Sequence, residues 1–303
     1  MSGARDPFEP RPIEVDAEPT VAGRLARWAE RGRILRAHTE AARARHSSLD
    51  FGLRLIEQDS SIGGGLLAGA LAYRLFILLL PTSLLLISGL GIYAGTVDKR
   101  PSTVAKEAGL HGLVASQVSQ TASSHARELV FLLMIPAILY ALVTLFRAVA
   151  RVHAIAWFGS ARGVRTVPAG VATLGAALVV QLVSWEIVSW IRRSDQYWGL
   201  TALGAYVVLI GAAWLAVSLE LPHREVRWYA LLPGAALFGL GLLVVNAFNI
   251  YVTTRLVEDR ANTYGALGIA TAVLFSLVLV GRLMVVSAEL NASLDDHRSS
   301  PRH

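Results

Sequence analysis

The chain has 303 residues, 54% hydrophobic and 17% charged, with a mean hydropathy of +0.50 and a net charge of +6. An ordinary soluble domain is about 25% charged, so this much apolar side chain calls for lipid as its solvent and excludes an ordinary soluble fold. There is no cysteine, which removes a disulfide framework, a Cys-ligated zinc site and a thiol nucleophile.

Residues 1–19 carry Pro7, Pro10, Pro12 and Pro19 among charges and read as a disordered tail. Residues 20–61 read as basic amphipathic helices. Val21, Leu25, Trp28 and Leu35 share one face, with arginines over much of the rest. That pattern suits either a helix lying along lipid headgroups or a soluble helix packed on the loops. Leu49, Leu53 and Ile56 then repeat at helical spacing after Ser48 and predict a second short helix. Gly63, Gly64 and Gly65 end it and predict an elbow at the membrane surface.

Crossing the hydrocarbon takes about 20 apolar helical residues. Six runs meet this, at about 65–93, 129–149, 167–191, 199–219, 229–251 and 264–288. They are continuous rather than alternating, which excludes an outer-membrane barrel. The first begins near residue 62, too late for a cleavable secretory signal. The expected fold is therefore an all-α integral membrane protein. It comprises a bundle of six transmembrane helices over 62–292, an N-terminal amphipathic helix with its elbow, and a tail at 293–303. Pro81 predicts a kink in the first span. In the long connection 94–128, Leu110, Leu113, Val114 and Val118 recur at helical spacing and predict a short amphipathic helix capping the outer face, as a structural lid in preference to a binding loop.

Basic residues orient the bundle, because cytoplasmic flanks carry an excess of Lys and Arg. With the N-terminus inside, 18 of the 28 fall on the cytoplasmic side and 8 outside. The remaining two, Arg74 and Arg282, lie within spans. Both termini are expected in the cytoplasm. The net charge reads as topology and attraction to anionic lipid. Nucleic acid is not expected as a partner, since no stacking aromatics accompany the arginines.

The candidate binding residues are the polar ones inside the spans. A charged side chain at a helix centre costs about 2.5–3.5 kcal/mol on insertion scales. Arg74, about ten residues into the first span, and Arg282, in the last third of the sixth, both belong to the cytoplasmic half of the bilayer. A planar guanidinium meets a phosphate with two bonds, so the two arginines suit an anionic headgroup. The alternative for both, and the favoured one for Arg282, is snorkelling, or an ion pair with Glu220 or Glu289. Gln181 and Glu186 in the third run, with Asn246 and Asn249 in the fifth, form a second set. Glu186 suits a counter-charge, a proton site or an outer-interface carboxylate. The two asparagines share a helix face and suit hydrogen bonds between helices. Gly65 with Gly69, and Ala235 with Gly239, are spaced for close helix packing. No H-E-x-x-H, G-x-S-x-G, Walker A or G-x-G-x-x-G pattern occurs. No histidine pairs with a carboxylate at metal-ligand spacing. Neither a catalytic residue, a metal nor a cofactor is expected.

Several segments in order resemble the YihY/BrkB family. Gly63-Gly64-Gly65-Leu66-Leu67-Ala68-Gly69-Ala70-Leu71-Ala72-Tyr73-Arg74, followed by Pro81, is similar to its first-span signature. Ala148 through Trp157 is similar to the inner loop of its actinobacterial members. Leu231-Leu232-Pro233-Gly234-Ala235 resembles the opening of its fifth span. Tyr264-Gly265-Ala266-Leu267-Gly268 and Ala288-Glu289-Leu290-Asn291-Ala292 resemble its C-terminal signature. The likeness covers about residues 50–293. The chain departs from it where Phe275 stands near a usual Trp, where Ser287 replaces a Gly, and where Arg282 enters a usually apolar stretch.

The resemblance implies a six-span protein of the bacterial inner membrane. It brings an old ribonuclease label and suggested roles in serum resistance and envelope-lipid transport. The residues offer no general acid–base pair for RNA. The expectation is a transporter or flippase-like protein for an anionic lipid or other amphiphile, with Arg74, Arg282, Glu186, Asn246 and Asn249 along the path. Membrane lipids are the expected partners, and a second copy or an envelope protein is open. The rival expectation is a scaffold organising an envelope complex through its basic N-terminal region.

Overall fold

The computed structural model describes residues 47–96, 124–161, 164–194, 196–249 and 254–299. The expected disordered tail 1–19, the helix over 20–46 and the outer amphipathic helix around Leu110–Val118 lie outside the described residues. Residues from Leu55 onward form one compact unit, and Met1–Arg54 form another.

Among the described residues there are seven α-helices and no strands. They are α1 (Ser47–Ile62), α2 (Gly64–Thr96), α3 (Ser124–Phe158), α4 (Pro168–Ser194), α5 (Gln196–Glu220), α6 (Leu232–Phe248) and α7 (Thr254–Ser299), with a 3-10 turn at Trp228–Leu231 before α6. Two glycines with positive φ punctuate the chain. Gly63 (φ 70°) ends α1, and its carbonyl accepts from Leu66 and Leu67 as α2 begins. The elbow is thus a single residue, and Gly64 and Gly65 are already helical. Gly159 (φ 68°) ends α3. A left-handed residue closes a helix without strain only where there is no Cβ.

Five helices contain stretches long and apolar enough to cross a bilayer: Gly64–Gly89, Glu128–Phe158, Leu200–Glu220, Trp228–Phe248 and Thr271–Arg298. The expected third span coincides with α4, whose described apolar stretch, Pro168–Ser184, is shorter. The expected fifth span opens with the 3-10 turn, and Pro233 then sits in the first turn of α6, where its missing N–H costs nothing. The last helix is longer than the apolar run predicts. It covers 46 residues and continues through the expected tail as far as Ser299. Neither Pro81 in α2 nor Pro136 in α3 interrupts its helix.

Helices α2 to α7 contact one another in a ring. α2 packs on α3 and α7, α7 on α6, α6 on α5, α5 on α4 and, more lightly, α4 on α3. α7 also touches α3. Leu71, Leu145, Val149, Val217 and Val285 are fully buried inside the ring. The outside is as apolar as the inside: Leu66 is 84% exposed, Val208 71% and Tyr140 68%. Such a surface fits lipid as the solvent. Lipid tails are as apolar as leucine, so close packing of small residues then holds helices together.

Those close contacts are made by glycine against backbone. A Cβ on Gly281 of α7 would lie 2.5 Å from the Ala68 carbonyl oxygen of α2. One on Gly239 of α6 would lie 2.6 Å from the Val207 carbonyl of α5, so the Ala235–Gly239 spacing marks helix packing. Gly65 and Gly69 differ, because a Cβ there meets nothing within 4 Å. Their small face points away from the ring. Replacing Gly281 by Val should lower stability by about 1–3 kcal/mol through overpacking. Gly69→Ala should cause no loss, since it adds helix propensity in open space. Thermal unfolding of the two variants in nanodiscs checks both.

Candidate functional site

Three groups of polar side chains interrupt the apolar ring. The first joins α4, α5 and α6. Tyr206 is 2% exposed, and its hydroxyl accepts from Asn246 Nδ2 at 2.6 Å. It shares a bond with the Gln181 amide, at 2.8 Å to Nε2 and 3.0 Å to Oε1. One turn along α6, Asn249 Oδ1 accepts from Ser276 Oγ of α7 at 2.5 Å. Two asparagines three residues apart therefore tie α6 to α5 on one side and to α7 on the other. Each such bond contributes about 0.6 kcal/mol on average in a membrane. Tyr206 and Ser276 are the partners that sequence reasoning missed. A lone Tyr or Ser inside an apolar run was the available signal. The side chain of Glu186 lies outside the described residues.

The second group is Arg74 alone. It is half-buried and, ten residues beyond Gly64, stands about 15 Å along the helix axis. It makes no hydrogen bond or ion pair with any described residue. Tyr73 beside it is 60% exposed, and Ala70, one turn earlier, is exposed as well. Pro81 lies two turns further on the same face. It has no N–H, so the Ile77 carbonyl lacks its helical donor. Thr82 and Ser83 turn their hydroxyls back to the Leu78 and Leu80 carbonyls.

The third group sits where α1 meets α7. Arg282 does not pair with Glu220 or Glu289. It grips Asp59 of α1 with both arms, Nη1 to Oδ1 at 2.6 Å and Nη2 to Oδ2 at 2.5 Å. Ser293 Oγ donates to Gln58 Oε1 at 2.7 Å beside it. Gly64 makes room for this pair, since a Cβ there would lie 2.8 Å from the Arg282 guanidinium and closer still to Asp59. Asp59 was not legible as the partner, because 223 residues separate the two. Glu289, two turns along α7 from Arg282, is fully buried, and neither of its oxygens has a hydrogen-bond partner among the described residues. An unpaired carboxylate held out of water costs several kcal/mol.

The same end of the bundle holds the segments around Pro233 and Glu289 in one contact. Asn291 Oδ1 accepts from the Gly234 amide at 2.8 Å, and a Cβ on Gly234 would lie 2.4 Å from the Ser287 carbonyl. Trp214 stacks on Phe238 at 4.1 Å and donates to Ser287 Oγ at 3.0 Å. Trp157, with Leu231, Ala288 and Ala292, fills a small core beside it. His153 is buried in α3, with Nδ1 3.2 Å from the Val149 carbonyl. Outside the bundle, Arg224 bonds Asp296 and lies 3.7 Å from Asp295. The bond to Asp296 raises the Arg224 pKa above its usual value. Among the described residues no three His, Asp or Glu side chains gather as a metal site.

Residues 58–303 match the family model described as Virulence factor BrkB. Neither the curated proteins nor the solved structures contain a match to the chain.

Replacing Tyr206 by Phe removes the hydroxyl that two amides share. Stability in nanodiscs should fall by about 1 kcal/mol. The change in Asn246→Ala/Tyr206→Phe together should be less than the sum of the single changes, because both remove one bond. Unfolding of the double-mutant cycle measures it.

Proposed function

The chain belongs to the Virulence factor BrkB family, and from that premise we propose that it carries an anionic lipid or other amphiphile across the bacterial inner membrane. In this reading all six helices of the ring span the bilayer, α4 included, and both termini lie in the cytoplasm. A headgroup enters from the inner leaflet and meets Arg74. The observation that carries the reading is that this arginine is half-buried in a membrane-spanning helix and has no partner among the described residues. A lone guanidinium at that depth is costly, and an anionic oxygen pair relieves the cost with two charge-assisted bonds. The exposed Ala70 and Tyr73 beside it and the free Ile77 carbonyl above it leave the approach from the lipid side open. Glu186, Asn246 and Asn249 belong to the outer part of the path. Arg282 is already occupied by Asp59, so it holds α1 in place rather than meeting substrate. The protein acts as a carrier, not as a ribonuclease or other enzyme.

A scaffold is the second reading. It is favoured by nine arginines in residues 1–46 and by the unpacked face at Gly65 and Gly69, which suits a second copy or an envelope protein.

Headgroup-resolved lipid translocation in proteoliposomes decides between them. Arg74→Leu should reduce translocation of anionic lipid at least about tenfold, the equivalent of one charge-assisted contact of about 1.4 kcal/mol or more, with folding unchanged. Retained activity in that variant removes the role of Arg74. Deletion of residues 1–46 should leave translocation intact. A carrier-inactive protein that loses its co-purifying partners on that deletion would favour the scaffold.

A further inference from the structure

Among the described residues, Glu289 is a buried acid that the carrier reading leaves unused. It is 0% exposed, and neither of its oxygens has a donor among the described residues. The charged groups that face it are Asp59 of α1 and Arg282 of its own helix. Among the other helices packed on α7, α2 brings Gly64 to the spot, and the buried His153 of α3 lies with its ring against Trp214. Both arms of Arg282 are spent on Asp59. Glu289 is thus left facing another acid. Two carboxylates are both acceptors and form no hydrogen bond with each other, whereas a carboxyl and a carboxylate share one through a proton.

We propose that Glu289 and Asp59 form a proton-binding site between α7 and α1, in which one proton held by Glu289 is shared with the Asp59 carboxylate while Arg282 balances the remaining charge. The ligand is a proton, and its two holders are on different helices. Binding it makes Glu289 a donor to Asp59 and leaves Arg282 free to keep its two-armed grip. Losing it leaves two carboxylates competing for one guanidinium. Arg282 and Glu289 are seven residues apart and share a face of α7, so the arginine is drawn toward Glu289 and away from Asp59. The contact between α1 and α7 then loosens as pH rises. Ser293, which holds Gln58 one turn beyond Glu289, loosens with it. This site is independent of the lipid-carrier reading and stands or falls without it.

Infrared spectroscopy of the full chain in nanodiscs reads the proton directly, through the C=O band of a protonated, buried carboxylic acid at neutral pH. Wild-type-minus-variant spectra should show this band lost in Glu289→Gln, whose amide donates to Asp59 in the proton's place. The band should be lost in Asp59→Asn too, because the freed Arg282 then ionises Glu289. Asp59→Asn carries the test alone if Glu289→Gln fails to fold. No such band in the wild type overturns the proposal, and so does a band that survives either substitution. The absence of cysteine permits a single nitroxide at Ser60→Cys. Its mobility should increase with pH in the otherwise wild-type chain and stay constant with Glu289→Gln. A pH response that is the same in both also overturns the proposal.

Discussion

Hydrocarbon offers no water to a polar side chain, and that constraint orders the polar groups that join the helices of the ring. Tyr206 takes both Gln181 and Asn246; Asn249 takes Ser276; Trp214 takes Ser287; Asn291 takes the Gly234 amide. Each bond crosses from one helix to another, so satisfying the polar groups also sets which helices are neighbours and at what register. Arg282 follows the same rule with a charge, and its partner comes from the short helix before the membrane. Against this background two charged side chains stand out among the described residues. Arg74 makes no ion pair, and Glu289 no hydrogen bond, with any described residue. They lie on helices in direct contact, α2 and α7, and they ask for opposite things: an anion for the arginine and a proton for the acid.

Close backbone approach supplies the remaining order. Gly281 lets α7 rest on Ala68, and Gly239 lets α6 rest on Val207. Gly64 admits the Asp59–Arg282 pair where α1 turns into α2. Gly234 lets α6 begin against the Ser287 carbonyl. The segments Leu231–Ala235 and Ala288–Ala292, far apart in the chain, are therefore two sides of one contact. This explains why the chain carries small residues and one amide there.

The helices were legible because length and hydropathy report them directly: the apolar runs near 129–149 and 199–219 lie inside α3 and α5. Their ends were less legible. The chain from Ser293 to Ser299 is polar and reads as a tail, yet it stays helical and is anchored by Ser293 to Gln58 and by Asp295 and Asp296 to Arg224. Such anchors are tertiary and leave no periodic trace. The elbow was legible as a glycine run, but which glycine turns depends on φ alone. At the candidate site, the presence of Arg74 and Arg282 inside spans was plain from sequence. Their different fates were not. Asp59 lies outside the apolar runs, and nothing local marks it as the acid that claims Arg282. The Gly65–Gly69 spacing matched a packing motif, but a spacing does not say whether the facing helix belongs to the same chain, and among the described residues a Cβ at either glycine meets nothing within 4 Å.

The carrier reading requires Arg74 to be available to an anionic headgroup while Arg282 is held by Asp59. Native mass spectrometry of the full chain released from mixed anionic and zwitterionic nanodiscs tests it most directly. Anionic lipid should be retained by the wild type and by Arg282→Lys, and lost from Arg74→Leu. Equal retention by Arg74→Leu, or loss from Arg282→Lys alone, would contradict it.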